Sequence, residues 1–178
     1  YLFDDPVYQW EKGPYRRLAR LWEKYWSRRA DRVIVPNEVL AADLCRRARD
    51  ARIAIVRNPV DLAAHVAAPP SPPRAAASPE SPWTIIYTGS VYSAQASALR
   101  NLVAALDRIG GSFNLHVYTA QSDAQVRENG LLGPYVHRHD HLPQAQSLTR
   151  QRDADILFLP LAFDSAISEV VRSSAPAK

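Results

Sequence analysis

The chain has 178 residues, 47% of them hydrophobic, and a net charge of +4. That length allows one large domain or parts of two, with apolar content sufficient for a buried core. No apolar run approaches a membrane span, the single Cys45 excludes an intramolecular disulfide or thiolate metal cluster, and so modest a charge gives no ground for nucleic-acid binding. Cys45 reads as a half-buried helix cysteine in a reducing compartment. Tyr1-Leu2-Phe3 runs straight into Asp4-Asp5, without the pattern of a secretory signal. The chain contains no methionine, initiator included, and we expect it to be a piece of a longer protein.

Tyr1-Leu2-Phe3 resembles the end of a buried strand, closed by Asp4-Asp5-Pro6. Gly13-Pro14 marks a helix start. From Tyr15 to Arg29 the apolar residues Tyr15, Leu18, Leu21, Trp22, Tyr25 and Trp26 recur at spacings of three and four, which builds one helical face. Arg16, Arg20, Lys24 and Arg28 form a basic stripe on the same helix. Val33-Ile34-Val35 is a short apolar run typical of a strand covered on both faces. Asn37 is placed to cap a following helix, Glu38 suits its first turn, and that helix should end near Arg47. Ile53 to Val56 predicts a second buried strand, ended by Asn58-Pro59. Strand, helix and strand in this order make a βαβ unit with a parallel pair.

Residues 67–82 are rich in proline and carry only Arg74 and Glu80 as charges, the composition of an extended, semi-rigid connector. The α/β rhythm then resumes. Thr84 to Tyr87 is a strand, Gly89-Ser90 a turn, and Ala94 to Ile109 a helix stopped by Gly110-Gly111. Phe113 to Tyr118 is a strand, Asp123 to Asn129 a short helix ending at Gly130, and Val136 the start of a weak strand. Leu148 to Arg152 belongs to a short helix, and Ala154 to Pro160 is the clearest strand of this half. Such alternation predicts a parallel sheet with helices on both faces.

The order of these segments resembles the retaining, nucleotide-sugar-dependent glycosyltransferases of family 4 and their relatives. The residues that carry the resemblance are Ala30-Asp31-Arg32-Val33-Ile34-Val35-Pro36-Asn37-Glu38, Arg57-Asn58-Pro59-Val60-Asp61, Ile85-Ile86-Tyr87-Thr88-Gly89-Ser90, Val136 to Pro143, Ala154 to Pro160, and the tail Ser174 to Lys178. It implies an α/β fold of two Rossmann-like parallel-sheet domains (GT-B type), both incomplete here. Residues 1–66 would end the acceptor domain, 67–82 would link, and 83–178 would begin the donor domain. Pro59 stands where the family has a glycine, and no Arg or Lys follows Gly89 closely enough to match the family's diphosphate-facing pair. Ser173 falls near the first glutamate of the family's paired glutamates.

Sugar transfer needs stabilisation of a departing nucleoside diphosphate and an acceptor hydroxyl held in line. Gly89 and Ser90 lie between strand and helix, where backbone amides can meet phosphate; a plain tight turn is the other reading. The resemblance places Asp4 by the sugar or acceptor, as a base or hydrogen-bond partner, although a turn aspartate would look the same. It sets Asp140, His141 and Leu142 against the nucleotide base, Phe163, Asp164 and Ser165 against the donor sugar, and Lys178 against a phosphate. His137, His139 and His141 alternate and would share one face of a strand, as a metal site requires; without supporting ligands they read as ordinary loop residues. No cofactor is expected, nor a metal, because no Asp-x-Asp pair suited to Mg²⁺ or Mn²⁺ on a donor diphosphate is present. The basic stripe suits anionic lipid or a lipid-linked diphosphate acceptor, or is a solvated helix face.

These features lead us to expect a glycosyltransferase fragment, inactive alone, of the type used in polysaccharide biosynthesis. The full enzyme would move a sugar from a nucleotide sugar to a glycan, lipid-linked or small-molecule acceptor, in the cytoplasm or at the inner face of the membrane. A non-catalytic α/β binding or scaffold protein, or a sugar-nucleotide epimerase of the same architecture, are the alternatives. Nucleic acid is not expected as a partner.

Overall fold

The structure is a computed structural model that describes residues 13–59, 78, 80–91 and 93–161. The described chain divides into two compact units, residues 13–59 in the first and 78–161 in the second. Asp4, Phe163, Asp164, Ser165 and Lys178 lie outside the described residues. Both units are mixed α/β with parallel strands, as expected of a Rossmann-like architecture.

The first unit begins with helix α1 (Pro14–Arg29), with proline in its first turn and Arg28 and Arg29 in its last, where they complement the dipole. Strand β1 (Val33–Val35), helix α2 (Glu38–Arg47) and strand β2 (Ile53–Ile55) follow. Asn37 caps α2 as expected, its side chain accepting from the Leu40 amide at 2.9 Å. β1 and β2 pair in parallel from Val33 opposite Ile53 to Val35 opposite Ile55. Val33, Val35, Leu40, Leu44 and Ala48 form the buried core, with Ala41, Ala51 and Ile53 packed against it. Three expectations are corrected. Ile55 and Val56 are exposed, so β2 is not a strand covered on both faces. Cys45 is exposed on α2 rather than half-buried.

The third correction concerns α1. Its apolar face forms where the spacing puts it, but faces solvent: Leu21 is 66% exposed, and Trp22 and Trp26 are 55% exposed. The aromatic rings contact one another instead, Trp22 to Trp26 at 6.1 Å and Tyr25 edge-on to Trp26 at 5.2 Å, with the Arg29 guanidinium 4.2 Å above Tyr25. The interior face carries Glu23 and Ser27. Glu23 is gripped by Arg47 of α2, whose Nε and one terminal nitrogen donate to the two carboxylate oxygens at 2.7 and 2.9 Å. A buried carboxylate needs such a partner, and a bidentate guanidinium supplies both hydrogen bonds and charge. The pair joins the interior face of α1 to α2.

The second unit comprises β3 (Trp83–Thr88), α3 (Ser93–Ile109), β4 (Phe113–Thr119), α4 (Asp123–Glu128), β5 (Val136–Asp140), α5 (Gln144–Arg152) and β6 (Ile156–Leu157). The strands are parallel in the order β5-β4-β3-β6. Gly110 ends α3 in the left-handed region at φ 62°, its amide donating to Leu106. Ser122 and Gln125 form a reciprocal capping box that starts α4. One face of the sheet, with Ile85, Tyr87, Leu115 and Val117, packs on Leu99, Val103 and Leu106 of α3 and Val126 of α4. Tyr135 donates to the Val103 carbonyl at 3.1 Å and to Asp107 at 2.5 Å, tying the entry of β5 to α3. Burial first, then the Asp107 carboxylate, pushes its pKa up to about 12, so the hydroxyl keeps its proton and can donate.

Two elements differ from expectation here. The weak strand at Val136 is five residues long and pairs with β4 along its whole length. In the run from Ala154 to Pro160 the strand itself is Ile156–Leu157, flanked by the Asp155 and Phe158 amides, which donate to the Thr84 and Ile86 carbonyls, at the sheet's edge among the described residues. The Asp155 carboxylate takes the Thr84 amide at 2.8 Å just before the strand, and Pro160 has no amide to continue.

The opposite face holds the alternating histidines. His116 lies opposite His137, and Tyr118 opposite His139. His116 Nδ1 and His139 Nε2 are 2.8 Å apart, while their nearly parallel rings have centroids 5.1 Å apart. Those two distances fit rings joined edge to edge through one proton. His137 meets Asn114 at 3.1 Å. Among the described residues no group of three or more metal-ligating side chains is placed to hold a metal. The His116 pKa is lowered by burial, then by His139, His137 and Arg150. That of His139 is lowered by burial, then by His137, Arg150 and Arg138.

Two tests follow from this packing. Glu23→Ala should destabilise the protein by about 3 kcal/mol, because it strands the Arg47 charge, while Trp22→Ser should stay within about 0.5 kcal/mol, as an exposed substitution does; urea midpoints followed by circular dichroism read both. The depressed imidazole pKa values mean that the unfolded chain binds protons first as pH falls from about 6.5. Stability is therefore expected to be full above that pH and to decline below it. His139→Gln should flatten this decline, and an unchanged profile would count against the shared-proton pair.

Candidate functional site

Going from β3 to β4 to β5 the chain moves across the sheet in one direction, and then returns to place β6 on the other side of β3. Such a reversal opens a crevice at the carboxyl ends of the two strands that flank it. The same reversal should put α5 on the face opposite α3 and α4 if crossovers are right-handed. Gln151 of α5 accordingly donates to the Thr88 hydroxyl at 2.7 Å, on the histidine face.

Gly89 follows β3 directly. Its φ of 144° is strained for any residue with a side chain, and its amide donates to the Tyr118 carbonyl at 2.9 Å. Ser90 is exposed, and its carbonyl accepts from the Tyr87 hydroxyl at 2.6 Å. Val91 is held from both sides by Gln121: its amide donates to the Gln121 side-chain oxygen at 3.2 Å, and its carbonyl accepts from the side-chain nitrogen at 3.4 Å. The Thr119 hydroxyl also donates to Gln121. Arg138 of β5 donates through Nε to the Gln121 carbonyl at 3.0 Å and pairs with Asp140 at 2.7 Å and Asp123 at 3.8 Å. A continuous chain of hydrogen bonds thus runs along the carboxyl edge of the sheet, from β5 to the loop after β3.

The structure brings Gly89, Ser90, Asp140, His141 and Leu142 to this one edge, because all four strands are parallel. Asp140 is exposed and bound to Arg138, His141 is exposed, and Leu142 is half-buried. The amides of Gly89 and Val91 are already taken by protein acceptors. Sequence reasoning passed over Gln121 and Arg138. Gln121 could have been marked by its place two residues past the end of β4, whereas nothing in the sequence sets Arg138 apart from any other strand arginine. The chain's one Asp-x-Asp pair, Asp153 and Asp155, precedes β6 at the opposite edge, where Asp155 is bound to Thr84.

In the first unit the basic stripe divides. Arg28 pairs with Asp50 at 3.4 Å, and Arg16 is half-buried. Arg20 and Lys24 line an open cavity of about 580 Å³ between α1 and α2. No described helix is long and apolar enough to cross a membrane.

No curated protein matches the chain. Residues 3–64 match the model of Glycosyltransferase Family 4, a stretch that includes every described residue of the first unit. The match supports a glycosyltransferase family 4-like domain there and, with it, a glycosyltransferase type of function that binds a sugar donor and an acceptor.

Proposed function

We propose that this chain is part of a retaining, GT-B type glycosyltransferase that moves a sugar from a nucleotide-sugar donor to a glycan, lipid-linked or small-molecule acceptor. The single observation that carries the reading is the family 4 match at residues 3–64, joined in the same chain to a second parallel α/β unit whose strand order reverses beside β3. In this reading the first unit serves the acceptor, and the second takes the donor at the carboxyl ends of its strands. Gly89 and Ser90 face the diphosphate, with the start of α3 supplying its dipole. Asp140, His141 and Leu142 border the base. Asp4, Phe163, Asp164, Ser165 and Lys178 complete the assignment, on the strength of the sequence resemblance alone. No metal is assigned to the diphosphate. The enzyme would work in the cytoplasm, with α1 resting on the anionic inner surface of the membrane.

One observation favours a non-catalytic binding protein of the same architecture. The Gly89 and Val91 amides and the Arg138 guanidinium, which a diphosphate could use, are engaged by the protein itself. Calorimetry with UDP and GDP, followed by transfer assays from their radiolabelled sugars, separates the readings. Under the transferase reading one nucleoside diphosphate binds, and Gln121→Ala, which releases the loop after β3 so that it must be ordered on binding, weakens it about tenfold. Binding without turnover in the parent protein would favour the non-catalytic reading, and no binding of any nucleotide would defeat the donor assignment.

A further inference from the structure

The cavity between α1 and α2 has an unusual charge. Arg17, Arg20 and Lys24 approach it from α1, and Arg46 and Arg47 from α2. The two arginines of α2 are fixed by buried acids: Asp43 accepts from Arg46, and Glu23 holds Arg47 in a bidentate pair. Both acids are almost wholly enclosed, with side chains 2% and 1% exposed. The three cations of α1 have no ion-pair partner among the described residues, and all three are exposed. Among the described residues five positive groups thus face one cavity, two acids answer them, and a surplus of three remains.

We propose that this cavity is a binding site for an organic phosphate or diphosphate. Like charges gathered around one concave surface repel one another, and an anion seated among them removes that repulsion. Arginine forks suit the paired oxygens of phosphate, and those of Arg17 and Arg20 have no ion-pair partner among the described residues. A phosphate monoester carries about two negative charges near neutral pH; a diphosphate carries more and answers the surplus better. The volume of about 580 Å³ exceeds what an inorganic ion requires and lies in the range of small-molecule sites. Leu21 supplies an apolar wall for the organic part. The exposed Leu18, Trp22, Tyr25 and Trp26 on the same helix would suit a phosphate carried at a lipid surface, while the open cavity suits a soluble ester equally. The shared chemistry is the phosphate group.

The site lies within the first unit and needs no sugar donor, so its failure would leave the transferase reading standing, and the reverse holds too. The test titrates sodium pyrophosphate into the full chain by calorimetry. It also measures co-sedimentation with phosphatidylcholine vesicles, with and without phosphatidylglycerol. The double variant Arg17→Ala/Arg20→Ala removes two exposed side chains and puts a good helix former in their place, so the fold should hold. Arg108→Ala/Arg127→Ala removes the same charge from the second unit. Saturable pyrophosphate binding that falls at least about tenfold in the first variant and hardly in the second supports the proposal with a soluble source. Binding only to phosphatidylglycerol vesicles, weakened in the same pattern, supports it with a lipid source. Binding to neither probe, or equal losses in the two variants, overturns it.

Discussion

The contact between Glu23 and Arg47 governs the first unit. A helix with six large apolar residues on one side would normally turn that side inward, since each buried side chain contributes about 1.5–3 kcal/mol. Here the reverse holds. A carboxylate that enters the interior must find a charged, hydrogen-bonding partner, and Arg47 provides one through two near-ideal hydrogen bonds. That contact lies on the side of α1 opposite its apolar face. Leu21, Trp22, Tyr25 and Trp26 are exposed, and Arg17, Arg20 and Lys24 line the cavity beside α2. An exposed apolar surface of this kind marks an interaction site in most soluble proteins.

The second unit depends on a different constraint, the reversal of strand order beside β3. A run of parallel strands laid down in one direction covers one face with helices; the return to β6 covers the other. That return places α5 over the histidine face and sets Arg150 near enough to His116 and His139 to add to the depression of their pKa values. The parallel direction of the strands gathers the ends of β3, β4 and β5 on one edge, where Arg138 and Gln121 lock the loop after β3. An arginine inside a strand would be costly to bury without partners. Arg138 has two carboxylates and two carbonyls.

Most elements were legible because local chemistry and tertiary structure agree. Asn37 caps because its side chain has an amide within reach, Gly110 ends a helix because it accepts a left-handed backbone, and Phe113 to Tyr118 reads as a strand, all of it within β4, an inner strand of its sheet. The misreadings share a cause. Periodicity says that residues share a face, not which way the face points, and the contact that ties α1 to α2 joins Glu23 to Arg47, 24 residues later. Likewise an apolar run such as Ala154 to Pro160 has the same composition at an edge as in the centre of a sheet. How much of it joins the ladder depends on Asp155 capturing Thr84, a partner 71 residues away. The glycine of the β3 turn was visible in the sequence, but the engagement of its amide by Tyr118 was not, since register between strands decides it.

The two units treat positive charge in opposite ways, and this bears on where an anion can be held. Arg138 in the second unit is answered by Asp140 and Asp123, and the neighbouring loop amides already have acceptors. An anion arriving there gains mainly from the dipole of α3 and from whatever hydrogen bonds it can take over from the protein. Exchange of one satisfied hydrogen bond for another yields little net free energy, so affinity at that edge must come from the rest of the ligand, a base or sugar against the loop after β5. In the first unit Arg46 and Arg47 of α2 are held in place by enclosed acids, while Arg17, Arg20 and Lys24 of α1 have no ion-pair partner among the described residues. An anion seated there would gain from the repulsion it removes. A ligand that is mostly anion and one that is mostly base and sugar therefore call for different arrangements of charge.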